Sequence, residues 1–218
     1  MQDSTGLAGL RAYPLARRGV VMTGLISGFT LATQRVEAQA IHTDTQGIDA
    51  GEARIPVKDG ALPAYFARPA GQGSLPVVLV NEEIVGVHEY IKDICRRLAK
   101  AGYFAVATEY YGRLGDLSKM TDVPQIIRDV IAKAPDEQYM ADLDATAAWA
   151  AAHGGDAGRV GVIGFCRGGR QTWLYAAYSP HLKAAVAFYG PVGGTPTAIQ
   201  PQTAMDVTAQ PTPMRLTH

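Results

Sequence analysis

The stretch Val160-Gly-Val-Ile-Gly-Phe-Cys-Arg-Gly-Gly169 decides the fold. It begins as a short apolar run typical of a buried strand, and helical spacing follows over Gly168 to Ala177. Gly164 and Gly168 flank Cys166 at minus two and plus two, where a tight turn leaves no room for a Cβ atom. The pattern predicts a nucleophile elbow, which is a sharp turn between a strand and a helix that presents a reactive side chain.

Cysteine is a nucleophile in its thiolate form, and the elbow would place Cys166 at a helix N-terminus, where aligned amides favour that form. The alternative is an inert buried cysteine, since free cysteines are among the most buried residues. The flanking glycines and the strand and helix around them favour the nucleophile. Cys95, by contrast, lies on the apolar stripe of a predicted helix over His88 to Ala101 and is predicted to be a core residue.

Strands and helices alternate along the rest of the chain, which predicts an α/β fold with a mostly parallel sheet covered by helices on both faces. The predicted strands are a hairpin over 53–60 and 62–68, followed by 76–80, 103–108, 160–164 and 184–189, and the predicted helices cover 88–101, 123–134, 137–152 and 168–177. The last stretch, Gly193 to His218, shows little periodicity, so we expect the sheet to be incomplete at its C-terminal edge.

Composition is typical of one soluble α/β domain and excludes several functional classes. Among the 218 residues, 20 Lys and Arg balance 20 Asp and Glu, so no overall charge attracts nucleic acid. Two cysteines cannot form the disulfide framework of a small secreted domain. The five histidines are scattered without metal-ligand spacing, so we expect neither a metal nor another cofactor.

The first forty residues have the pattern of an export signal. Arg17-Arg18 precede an apolar run over Gly19 to Ala32, and Ala38-Gln39-Ala40 has the small residues of a cleavage site. The alternative is an amphipathic or membrane helix, but the run is short for a span of about 20 residues. We therefore expect a twin-arginine signal over 1–40, an enzyme domain over 41–218 without membrane contact after cleavage, and a periplasmic or secreted protein. The protein would be cytoplasmic if the signal does not function.

Three motifs occur in order: Glu83-Ile-Val-Gly-Val-His88, Glu109-Tyr-Tyr-Gly-Arg113 and the cysteine elbow. Together they resemble the dienelactone hydrolase (carboxymethylenebutenolidase) family of the α/β-hydrolase superfamily. The resemblance implies an α/β-hydrolase fold and a small-molecule lactone or carboxylic ester as substrate, cleaved by a cysteine nucleophile through an acyl-enzyme.

The resemblance also implies roles for individual residues. Cys166 is the nucleophile, and Glu83 is the carboxylate beside the thiol that helps to generate the thiolate. The backbone N–H groups of Ile84 and Arg167 form the oxyanion hole, in agreement with the usual donors of this fold. A solvated residue at a helix start is the alternative for Glu83, and that is the role predicted for its neighbour Glu82.

Position alone suggests two further substrate contacts. Tyr111 and Arg113 follow a strand at the edge where α/β sheets bind ligands, so they are predicted to hold a substrate carboxylate. The alternative for Arg113 is an ordinary surface arginine.

The sequence departs from the family where the triad acid and histidine belong. Asp206 precedes the expected strand, His218 ends the chain, and His88 is predicted to serve at a helix start rather than in catalysis. A truncated or degenerate member that at most binds ligand is therefore the second hypothesis. A thiol-based redox protein is a third and is disfavoured, because no Cys-x-x-Cys pair occurs. The oligomeric state is not predicted.

Overall fold

The predicted hairpin is confirmed in the computed structural model, which describes residues 42–71 and 73–209. Strands β1 (Ile48–Val57) and β2 (Gly60–Pro69) pair antiparallel around a turn at Lys58 and Asp59. Both strands are longer than predicted, because the ladder continues through residues that lack strict alternation. The predicted export signal over 1–40 lies outside the described residues.

Four more strands complete a six-stranded sheet over the described part of the chain. They are β3 (Leu75–Asn81), β4 (Phe104–Thr108), β5 (Gly155–Phe165) and β6 (Leu182–Phe188), and the order across the sheet is β1-β2-β4-β3-β5-β6. Strands β3 to β6 run parallel to one another, whereas β2 meets β4 antiparallel. The sheet is therefore mostly parallel, as predicted, and the carboxyl ends of four strands share one edge.

Helices cover both faces of this sheet. The helices are α1 (Glu89–Lys100), α2 (Val123–Asp129), α3 (Asp136–Ala152), α4 (Arg167–Tyr178) and α5 (Ala204–Thr208). Helix α1 packs Ile91 and Cys95 on one face, in a core cluster with Val80 and Phe165. On the other face, Thr146 of α3 contacts Thr108 of β4 (Oγ1 to Oγ1, 3.1 Å). The mostly parallel sheet therefore lies between two layers of helices, as the predicted α/β fold requires.

Strand β5 begins five residues before the predicted start at Val160, and two helical segments also differ from the prediction. The helix predicted over 123–134 ends at Asp129 and is followed by a 3₁₀ turn over Ile131–Lys133. Ala134 is extended, because a residue before proline disfavours the helical region and Pro135 follows. The second helical segment is α5, which lies in the stretch predicted to lack structure.

Helix α5 is held by a capping box at its start. The Thr203 hydroxyl accepts the Asp206 N–H, and the Asp206 carboxylate accepts the Thr203 N–H at 2.7 Å. Asp206 therefore has a local structural role, in agreement with its exclusion as a triad acid. None of the helices within 42–71 and 73–209 is both long and apolar enough to cross a bilayer.

Candidate active site

The turn between β5 and α4 places Cys166 at the carboxyl edge of the sheet. Cys166 is the residue before α4 and has φ 51° and ψ −121°, a conformation that L-residues rarely adopt. Its N–H donates to the Phe188 carbonyl at the end of β6 (3.1 Å). A strained backbone persists only where its surroundings fix it, so this turn is built to present one side chain.

The flanking glycines are required by sterics. A Cβ atom on Gly164 would lie 2.2 Å from the Gly168 carbonyl oxygen. A Cβ atom on Gly168 would lie 2.5 Å from the carbonyl oxygens of both Asn81 and Glu82. The missing side chains therefore let α4 approach the end of β3, which brings the two motifs of the sequence together.

The Cys166 thiol is half-buried, and its neighbours shift its pKa in opposite directions. Burial raises its pKa to about 11, the Arg167 N–H opposes this shift by hydrogen bonding, and the Glu83 charge adds to it. The Ile84 N–H and the charge of Arg167 also lower the pKa. The expectation that helix amides favour the thiolate is correct in direction, but burial outweighs them, so the resting group at neutral pH is the thiol.

The N–H groups of two backbone amides lower the pKa of the Cys166 thiol. They belong to Arg167, which begins α4, and to Ile84, which lies in the loop after β3. These are the two amides that the resemblance assigned to an oxyanion hole. N–H donors near a nucleophile can stabilise an oxygen that becomes negative when the nucleophile attacks.

Glu83 lies in the same loop and is 4% exposed. Each of its carboxylate oxygens has a partner: Oε2 lies 2.8 Å from Nε2 of His88, and Oε1 accepts the Tyr189 hydroxyl proton at 2.9 Å. The carboxylate is thus close enough to raise the pKa of Cys166, while its charge is held by two other side chains. The solvated alternative for Glu83 is excluded by its burial.

His88 and Tyr189 are neighbours of Glu83 that the sequence did not reveal. His88 does precede α1 as predicted, but its side chain makes no cap hydrogen bond and contacts Glu83 instead. Its place in the Glu83 motif was the available signal. Tyr189 follows β6 with φ 37°, and only the strand order brings it to Glu83.

The prediction that Glu82 is solvated is wrong. Glu82 is fully buried, and its Oε1 accepts the Tyr111 N–H at 3.3 Å. Burial, followed by the charge of nearby Glu109, holds the pKa of Glu82 well above its usual range. Glu109 in turn accepts the Val87 N–H at 2.9 Å, so Glu109 supports the loop that carries Glu83 and Ile84, whereas Glu82 holds the segment after β4.

The predicted substrate contacts of Tyr111 and Arg113 find no support in the geometry. The Arg113 guanidinium is bound by two carboxylates, with contacts of 2.6 to 3.0 Å to Asp142 and Asp59. Those contacts occupy the fork that a substrate carboxylate would need. Tyr111 is 1% exposed and packs against Tyr139 at a ring distance of 5.6 Å, so it is a core residue.

The side chain of Arg167 points toward the segment before α5. Its Nη2 donates to Oε1 of Gln200 at 2.8 Å, and Nε2 of Gln200 donates to the carbonyls of Ile131 and Ala134. Gln200 thus holds the first residue of α4, beside the nucleophile. Nothing in the sequence marks Gln200, because its partners lie 33 to 69 residues away.

A separate surface cavity of about 720 Å³ lies between α3 and the end of α4. Its lining includes Ala147, Ala151, Val160, Tyr178 and Leu182. Val160 and Leu182 pair where the parallel β5–β6 ladder begins, at the edge of the sheet opposite Cys166. The cavity therefore does not belong to the site around the thiol.

The layered sheet and the strained elbow at its carboxyl edge define an α/β-hydrolase. The sequence model of the dienelactone hydrolase family matches residues 62–213. The chain belongs to the dienelactone hydrolase family, and it is a hydrolase.

Similar proteins agree with this assignment. A protein of Methylorubrum extorquens provisionally named carboxymethylenebutenolidase is 53% identical over 197 residues, which cover 89% of this chain and 68% of the relative. A Salmonella typhimurium protein with the same name is 50% identical and is matched over 67% of its length, by 83% of this chain. The crystal structure of a provisionally named dienelactone hydrolase from Klebsiella pneumoniae superposes with a TM-score of 0.72 at 52% identity, over 73% of this chain and 67% of that one.

Proposed function

We propose that the chain hydrolyses a lactone or carboxylic ester through an acyl-enzyme on Cys166. The observation that carries the proposal is the strained elbow that presents Cys166 at the carboxyl edge of the sheet, and the Ile84 and Arg167 N–H groups lower the pKa of its thiol. An inert cysteine has no need of a strained backbone. A lactone is the favoured substrate, because the names of the similar proteins refer to a butenolide, which is an unsaturated lactone.

In the proposed first step, a new bond forms between the Cys166 sulfur and the carbonyl carbon of the substrate. The thiol proton moves to the Glu83 carboxylate, since a thiol with a raised pKa needs a base during attack. The carbonyl oxygen takes the electron pair and accepts hydrogen bonds from the two amides.

The intermediate then collapses, and the carbon–oxygen bond of the ester breaks. The leaving oxygen takes the proton from Glu83, and in a lactone the new hydroxyl group stays on the acyl chain. Water next attacks the thioester, its hydroxyl group joins the acyl carbon and the carbon–sulfur bond breaks. The remaining proton of the water goes to the sulfur and restores the thiol. The product is a hydroxy acid, or a keto acid where the hydroxyl group is enolic.

Mass spectrometry of the intact protein with a p-nitrophenyl ester tests this proposal. The unaltered protein should gain the mass of one acyl group while nitrophenolate is released, and Cys166→Ala should lower both by about a thousandfold or more. Cys95→Ala is the matched control, because it removes the other of the two cysteines and leaves acylation intact.

Three outcomes separate the hypotheses. Acylation at Cys166 with repeated release of product supports the hydrolase. Acylation without turnover indicates a member that forms the intermediate but does not resolve it. Equal release by Cys166→Ala and the unaltered protein overturns the proposal.

A further inference from the structure

His88 is the described histidine whose ring contacts the carboxylate beside the thiol. Its Nε2 lies 2.8 Å from Oε2 of Glu83, and the His88 side chain is 30% exposed while that of Glu83 is 6% exposed. The ring also stacks on Tyr90 of α1, with centroids 6.2 Å apart and planes 18° apart. The contact is therefore a fixed one, and the ring keeps a path to solvent.

The 2.8 Å contact between Nε2 of His88 and Oε2 of Glu83 determines which ring nitrogen of neutral His88 carries the hydrogen. Carboxylate oxygens only accept hydrogen bonds, so Nε2 of His88 must carry the hydrogen and donate it. A second proton taken from solvent then binds at Nδ1 and makes the ring a cation. Histidine is the side chain that ordinarily gains such a charge near neutral pH.

A positive charge on His88 would affect the Cys166 thiol because it opposes the negative charge of Glu83. The carboxylate of Glu83 raises the pKa of Cys166 by repelling the thiolate. When His88 is cationic, the Glu83–His88 pair has no net charge, and the repulsion is offset. When His88 is neutral, the negative charge of Glu83 acts in full.

The other charged and titratable groups around this pair come from every neighbouring element. Tyr189 follows β6 and donates to Oε1 of Glu83, Arg167 begins α4 beside the thiol, and Tyr90 stacks on the ring. The remaining groups are Glu109 after β4, which binds the Val87 N–H, and Glu89, whose carboxylate contacts Arg96 and His42. None of the hydrogen bonds of these five groups replaces the His88 contact with Oε2.

We propose that His88 is a positioning residue that makes the reactivity of Cys166 depend on pH, holding Glu83 in both charge states and offsetting its charge in the cationic state. The inference deepens the proposed function and rests on it, since it assigns a regulator to the same nucleophile. Protonation of His88 would thus favour the thiolate at mildly acidic pH, where a buried thiol otherwise reacts slowly.

The rate of Cys166 alkylation by iodoacetamide tests this idea, because that neutral reagent reacts with the thiolate. His88→Gln is the informative variant, since a Gln amide can donate to Glu83 but cannot become a cation. At pH 6 the unaltered protein should react about three- to tenfold faster than His88→Gln. At pH 9 the two rates should be equal.

Tyr189→Phe is the matched control. It removes the other hydrogen bond to Glu83 without removing a group that gains positive charge, so it should change the alkylation rate by a factor that is the same at pH 6 and pH 8. A ratio between unaltered protein and His88→Gln that stays constant with pH would overturn the proposal and leave His88 a purely structural role.

A second measurement does not depend on the folding of any variant. The His88 ring can be titrated by NMR in the unaltered protein, and its midpoint should coincide with an inflection in the alkylation profile. Separate midpoints contradict the proposal. Alkylation does not require ester turnover. A missing acyl-enzyme would therefore contradict the proposed function, while the alkylation rates would still test the role of His88.

Discussion

At the residue scale, the site depends on side chains that are absent as much as on those present. The Gly168→Ala substitution would place a Cβ atom 2.5 Å from two backbone oxygens of the loop after β3. We expect a loss of about 1–3 kcal/mol in the free energy of unfolding and a strong loss of Cys166 acylation, because α4 must retreat from Ile84.

Urea denaturation and the ester assay measure these two effects. Gly73→Ala is the control, since a Cβ atom there meets no atom within 4 Å. Equal acylation by Gly168→Ala and the unaltered protein would show that Cys166 reacts without the close approach of α4 to the end of β3.

The local motif was enough to single out Cys166, because the glycines that an elbow requires are its near neighbours in the sequence. Glu83 was assigned through the family resemblance. Tyr189 and Gln200 could not be predicted in this way, since β6 and the segment before α5 reach the site only through the tertiary fold. Glu82 was misassigned because sequence position does not reveal that α4 closes over the end of β3.

At the scale of elements, a buried ion pair joins α3 to α4. Both terminal nitrogens of Arg170 lie 2.7 Å from the carboxylate of Asp136, and Nη2 also donates to the Gln202 carbonyl at 2.6 Å. The Arg170 side chain is 6% exposed. The pair therefore ties two helices to the segment that leads into α5.

Removal of one partner should be strongly destabilising. Arg170→Met leaves the Asp136 carboxylate buried without its cation, and we expect a loss of about 3–5 kcal/mol in the free energy of unfolding. Lys119→Met, which removes an exposed ion pair with Asp116, is the control and should have little effect. Thermal unfolding of both variants is the measurement, and similar midpoints would refute a structural role for the buried pair.

Elements could be predicted where apolar residues form a continuous run or recur at helical spacing. Strand β3 is continuous in apolar side chains, and α1 repeats its apolar positions at helical spacing, so both were located from the sequence. Helix α5 was missed because five residues give too short a period, and its signal is the capping box of Thr203 and Asp206. The extended conformation of Ala134 follows from the constraint that Pro135 places on the residue before it.

At the scale of the whole molecule, buried acidic groups make global stability depend on pH. The pKa of Glu82 is raised in the folded state, so the folded protein holds a proton that the unfolded chain releases above about pH 4.5. Stability is therefore lost as pH rises from that value toward the folded pKa. The slope from this one group is at most about 1.4 kcal/mol per pH unit.

Glu82→Gln should remove this penalty. The variant retains an oxygen for the Tyr111 N–H, and its stability relative to the unaltered protein should increase between pH 5 and pH 8. Urea denaturation at several pH values measures the difference, with Glu137→Gln on the exposed face of α3 as the control for loss of a carboxyl group. A difference that is constant with pH would show that Glu82 is ionised in the folded protein.

The central claim about the sheet, the elbow and the loop that carries Glu83 and Ile84 is that Cys166 becomes covalently acylated. Peptide mapping of the protein after brief exposure to a p-nitrophenyl ester addresses this claim without any assumption about turnover. We predict an acyl group on the peptide that contains Cys166, joined as a thioester that hydroxylamine removes. An acyl group on any other residue, or no adduct on a folded protein whose Cys166 reacts with iodoacetamide, would contradict it.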